Sequence, residues 1–118
     1  MGLKDKVAIV TGGASGFGAG IARRFAAEGA RVVIADLNLD AGLDLAASLG
    51  EHARALRVDV TDAADVRLMM ETAELHFGRL DILVNNAGVT HLPQPLEEVG
   101  EADFDRIVAV NMKANYPA

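Results

Sequence analysis

Apolar and polar positions alternate between two patterns along this chain, four times over. A short apolar run such as Val7-Ala8-Ile9-Val10 reads as a strand buried on both faces. A longer stretch then follows with apolar residues three and four apart, as one face of a helix requires. Strands are expected at about 6–11, 31–35, 54–60 and 80–85, and helices at about 17–28, 39–49, 62–77 and 101–116. Gly29, Gly50 and Gly78 stand just past three of these helices, where a left-handed cap favours glycine. In the third helix Val66, Met69, Met70, Ala73 and Phe77 form one stripe, which reads as core. The third strand alternates Leu56, Val58 and Val60 with Arg57 and Asp59, which suits a less buried edge. Repeated strand–helix units imply a doubly wound parallel α/β sheet with right-handed crossovers and strand order 3-2-1-4. A ligand is then expected across the carboxyl ends of strands 1 and 4.

The first strand runs into Thr11-Gly12-Gly13-Ala14-Ser15-Gly16-Phe17-Gly18 before the first helix. The unpaired N–H groups and positive dipole end of a helix start favour an anion, and glycines let a phosphate approach closely. The spacing is T-G-x-x-x-G-x-G. Ile21 breaks the G-x-G-x-x-G pattern, and Ala19 and Gly20 stand where a P-loop needs Lys and Ser or Thr. The turn therefore reads as a pyrophosphate cradle, with a purely structural turn as the other reading.

The 118 residues are enough for one domain, residues 1–118, and 51% hydrophobic content supplies its core. A net charge of −6 without a basic run argues against nucleic acid and anionic membranes as partners. Without cysteine there is no disulfide framework and no thiol nucleophile. The start lacks a signal-peptide apolar region and no apolar run approaches transmembrane length, so a cytoplasmic location is expected. His52, His76 and His91 have no metal-ligand spacing and read as surface residues; no metal site is expected.

Asp36 ends the second strand, 18 residues after Gly18. A dinucleotide fold places an acid there to accept hydrogen bonds from the adenosine ribose, and its charge repels a 2′-phosphate. Ser15 and Leu37 occupy the positions where a cation for that phosphate would help, so the expected cofactor is NAD rather than NADP. Asp36 as a helix cap is the alternative, compatible with the first.

With Asp36, Asp59-Val60 and Asn85-Asn86-Ala87-Gly88 in order after the glycine turn, the chain resembles the classical short-chain dehydrogenase/reductase family along essentially its whole length. The resemblance implies a Rossmann-type fold in which Gly12, Ser15, Gly16, Phe17 and Gly18 hold the pyrophosphate. It implies Asp59 and Val60 at the adenine and Asn86, Ala87 and Gly88 along the ribose, with Leu37 a further cofactor-binding residue beside Asp36. Asn111 lies 7, 4 and 3 positions after Phe104, Ile107 and Val108, on one apolar face of the expected fourth helix. A buried amide there needs a partner; it is either structural or, as the resemblance implies, the holder of a water in a proton relay.

The family's activity is hydride transfer between nicotinamide and a small-molecule alcohol or carbonyl, assisted by a Ser and a Tyr-x-x-x-Lys pair. No such pair occurs here: Tyr116 is the sole tyrosine and the chain ends at Ala118. The chain is thus expected to be truncated relative to the full fold, inactive alone, and at minimum an NAD-binding module. Strand 4 would become an exposed apolar edge, so a homo-oligomer or a complementing fragment is expected.

Overall fold

The computed structural model describes residues 3–86 and the backbone of residues 108–111. The apolar run Val7–Thr11 forms β1, buried at every position. After it come α1 (Gly16–Ala27), β2 (Arg31–Asp36), α2 (Leu39–Leu49), β3 (Ala53–Arg57), α3 (Ala63–Phe77), β4 (Ile82–Asn85) and β5 (Val108–Asn111). All pairings are parallel, in the order β3-β2-β1-β4-β5, which contains the expected 3-2-1-4.

Alternate strand residues feed two cores, one on each face of the sheet. Val7, Ile9, Val33 and Leu83 pack with Val66, Met69 and Ala73 of α3. Val10, Val32, Ile34 and Val84 pack with Ala19 and Ala22 of α1 and Leu45 and Ala46 of α2. The winding therefore reverses between β1 and β4, the point at which doubly wound sheets hold their ligands. Asn38 caps α2 through the Ala41 N–H, and Asp62 caps α3 through the N–H groups of Ala64 and Asp65. Gly78 closes α3 in the left-handed helical conformation; Gly50 leaves α2 by a different path, at φ 92° and ψ −163°.

Three expectations are corrected. The third strand stops at Arg57 rather than 60 because the next backbone groups turn away: Asp59 donates its N–H to the Asp65 carboxylate and its carbonyl accepts from Asp62. Residues 108–111, placed by their spacing in a helix over 101–116, form a strand instead; the rest of that helix lies outside the described residues. The pairing of Ile82–Asn85 with Val108–Asn111 also means that β4 is not an edge, which removes the basis for expecting association through it. The physical reason is common to both: β4 offers an unpaired apolar ladder, and Val108-Ala109-Val110 has the β-branched content to complete it.

At the amino ends of the strands, Asp81 joins β4 to β1. Its side chain is 7% exposed, and its carboxylate accepts the Val7 N–H at 2.9 Å. Arg79 adds Nε and Nη2 bonds, each 2.8 Å, one to either oxygen. Burial pushes this carboxyl up, but the Arg79 and Val7 bonds and the charges of Arg79 and Lys6 outweigh it and hold it below the usual carboxylate range.

Candidate cofactor site

The glycine turn is built by close approach. Thr11, fully buried, accepts the Asn86 N–H on its hydroxyl at 2.9 Å and lies 3.2 Å from the Val84 carbonyl, to which it donates. Asn86 returns its Nδ2 to the Gly12 carbonyl at 3.2 Å. Gly12 takes φ 64° and donates its N–H to Ala35 at 2.7 Å, so the loop leaves β1 across the end of β2. A Cβ on Gly18 would land on the Gly12 carbonyl and lie 2.5 Å from Asn86 Nδ2. The first turn of α1 can sit this close to the strand end only without that atom.

The start of α1 is left electropositive. Ser15 stands at the N-cap but its hydroxyl makes no capping bond, and no acidic residue lies in the first turn. The first N–H groups there have no helical partner and the helix carries no acid of its own against its dipole, which favours anion binding.

Beside the loop is a cavity of about 200 Å³ lined by Gly12, Ala35, Asp36, Leu37, Val58, Asp59, Val60 and Thr61. Pockets that enclose a whole drug-sized ligand run to roughly 300–1,000 Å³, so this one has room for only part of such a ligand. Asp36 accepts the Asn38 N–H at 2.9 Å and the Ala14 N–H at 3.0 Å, one on each oxygen. The helix cap is Asn38, not Asp36. Asp59 accepts both the hydroxyl (2.6 Å) and the N–H (2.9 Å) of Thr61 on Oδ1. Those two bonds, with the Arg57 charge, hold the Asp59 carboxyl below its ordinary value. Phe17 and Leu37 are exposed apolar side chains, at 49% and 58%.

Asn86 Oδ1 is buried and has no hydrogen-bond partner among the described residues, although Nδ2 of the same amide is satisfied. An orphan buried acceptor costs on the order of 1–3 kcal/mol unless a ligand or water donates to it. Together with the Gly18 close approach and the uncapped start of α1, it makes the site fit a phosphate-bearing ligand with hydroxyl donors.

The structure thus brings Gly12, Asp36, Leu37, Asp59 and Val60 to one cavity, with Ser15, Gly16, Phe17 and Gly18 at the adjoining helix start. Ala87 and Gly88 lie outside the described residues, as do His91 and Tyr116. Asn111 ends β5 in register with Asn85, which is itself in register with Thr11, and so reaches the same carboxyl edge from a strand rather than a helix. Sequence reasoning placed Thr11 and Ala14 in the turn without a role of their own, and missed Thr61 and Asp65 as parts of the site. Thr11 carried a signal, a hydroxyl closing an apolar strand; Thr61 and Asp65 carried only their spacing from Asp59.

The family model for short chain dehydrogenase matches residues 6–117. A galactitol 2-dehydrogenase from Agrobacterium fabrum is 41% identical over 113 residues, covering 96% of this chain and 44% of that protein. A D-threitol dehydrogenase from Mycolicibacterium smegmatis is 45% identical over 117 residues, 97% of this chain and 45% of that protein. Among solved structures, a 3-ketoacyl-(acyl-carrier-protein) reductase from Brucella melitensis complexed with NADH superposes with TM-score 0.71 at 48% identity, covering 90% of this chain and 43% of that one. The chain spans less than half the length of these relatives.

Proposed function

The chain belongs to the short-chain dehydrogenase family, and from that premise we infer that its 118 residues are the NAD-binding part of an oxidoreductase that moves a hydride between nicotinamide and an alcohol or carbonyl. The observation that carries this reading is one cavity shared by Gly12, Asp36 and Asp59 beside the bare start of α1. The N–H groups at Gly16–Gly18 and the Ser15 hydroxyl hold the pyrophosphate. Asp36 accepts from the adenosine ribose, and Leu37, Asp59 and Val60 bound the adenine. Asn86, Ala87 and Gly88 lie along the ribose, with Asn86 Oδ1 taking a donor it otherwise lacks.

NAD, when bound, supplies the hydride-accepting ring; the residues here bind and orient it. The preference for NAD over NADP rests on the Asp36 carboxylate at the cavity, with no cation at Ser15 or Leu37 to neutralise a 2′-phosphate. Binding of NADH by the Brucella reductase agrees with it. Asn111 enters through its place at the carboxyl edge, as a holder of water for the proton relay. The family's Tyr-x-x-x-Lys pair has no counterpart among these residues, so binding rather than proton transfer is assigned to them.

Titration followed by NADH fluorescence tests the reading. NADH is expected to bind at least about tenfold more tightly than NADPH, a difference of about 1.4 kcal/mol. Equal or tighter binding of NADPH would remove Asp36 as the selector.

A further inference from the structure

We propose that Asp36 is a strut between the phosphate loop and the ribose side of the cavity, so that one carboxylate sets both cofactor choice and loop geometry. The ligand rests on the dinucleotide reading above; the strut itself rests on geometry alone. Oδ2 of Asp36 accepts the Ala14 N–H at 3.0 Å and Oδ1 accepts the Asn38 N–H at 2.9 Å. The Asp36 carbonyl accepts the Val58 N–H at 3.0 Å, and the neighbouring Ala35 carbonyl accepts from Gly12 at 2.7 Å. The last two residues of β2 thereby fasten the phosphate loop, the approach to α2 and the exit of β3.

Ala14 is the point where this fastening matters most. It lies between Gly12 and Gly16, both at positive φ (64° and 58°), in a segment with little side-chain bulk to fix its path. Its N–H is held by a charged acceptor 22 residues away, a stronger bond than a neutral one. A carboxylate offers about four acceptor positions, so two remain for ribose hydroxyls while both backbone bonds persist. Ribose recognition and loop order are therefore carried together. A substitution that removes the carboxylate to admit a 2′-phosphate also releases Ala14, and the pyrophosphate seat loosens for either cofactor. Asp36→Ala alone is expected to lose NADH affinity without a matching gain for NADPH.

Two measurements separate the strut from a simple ribose contact. The first compares ADP with 2′,3′-dideoxyadenosine diphosphate, which keeps the diphosphate and lacks the hydroxyls. Asp36→Ala is expected to weaken the dideoxy compound about threefold or more, with Asp36→Asn, which keeps one acceptor oxygen, in between. Unchanged or tighter binding of the dideoxy compound, as ribose contact alone implies, overturns the proposal. The second is amide hydrogen exchange at Ala14 in the ligand-free protein, expected to accelerate about tenfold or more in Asp36→Ala while Val10 and Val33 in the core stay protected. Unaltered exchange at Ala14 also overturns it. If the wild-type protein binds neither nucleotide, the cofactor reading fails, and the exchange measurement still decides the strut.

Discussion

Gly18→Ala is expected to abolish measurable NADH binding, by about a hundredfold or more, equivalent to about 2.8 kcal/mol. The added methyl would land on the Gly12 carbonyl and press on Asn86 Nδ2. Both are rigid parts of the loop: Gly12 is bonded to Ala35, and Asn86 is held through Thr11. Relief requires α1 to slide from the strand end, which moves the N–H groups away from the phosphates. The control is Gly20→Ala in the same helix, where a Cβ meets nothing within 4 Å. Alanine there is expected to leave binding intact and to add about 0.5–1 kcal/mol of stability, since mid-helix glycine costs about that much. Fluorescence titration and denaturant unfolding of the two variants side by side check the pair. Wild-type NADH affinity in Gly18→Ala would dissociate the close approach from cofactor binding.

Asp81→Ala is the second large effect, and it falls on stability. The substitution leaves the Val7 N–H without its acceptor at a buried strand end and removes both Arg79 bonds. The expected loss is about 2–3 kcal/mol, the range for stranding a buried donor and deleting charged hydrogen bonds. Because the folded carboxyl lies below its unfolded value of about 3.9, its contribution is complete above that value. It is lost as pH falls from about 5 through the lowered folded value. Urea unfolding of wild type should therefore weaken across that acid window, and the Asp81→Ala difference should shrink with it. A difference that stays constant down to the acid limit would mean that the charge is not the source of the stability. Asp81 sits at the amino ends of the strands, opposite the cavity, so NADH affinity of the folded variant is expected to be unchanged.

Legibility in the sequence followed the reach of the interactions. The first three strand–helix units were readable because each carries its own signals: apolar Val7–Val10, the stripe from Val66 to Phe77, and Gly29, Gly50 and Gly78 just past the helices. Spacing also located Asp36, since the chain length from Gly18 through α1 and β2 is fixed by element geometry. Its partners were not readable, because Ala14 meets Asp36 only once β1 and β2 lie side by side. Residues 108–111 show the same limit from the other direction. Phe104, Ile107 and Val108 match a helical period before Asn111, while Val108-Ala109-Val110 equally matches a strand. The open ladder of β4 decides between them, and that edge is invisible to a local pattern. Asn86 was readable as a motif member, but its split role, one satisfied amide end and one orphan, depends on Thr11 and Gly12 arriving from 74 or 75 residues away.

The most direct measurement of the central claim is a map of backbone amide shifts on adding NAD to the isotope-labelled protein. The account predicts changes concentrated at Gly12–Gly18, Asp36–Leu37 and Asp59–Thr61, with the Arg79–Asp81 end of the sheet silent. Changes centred instead on a second cavity, about 240 Å³ between β3 and α3 and lined in part by Arg54, Thr72, His76 and Phe77, would contradict it.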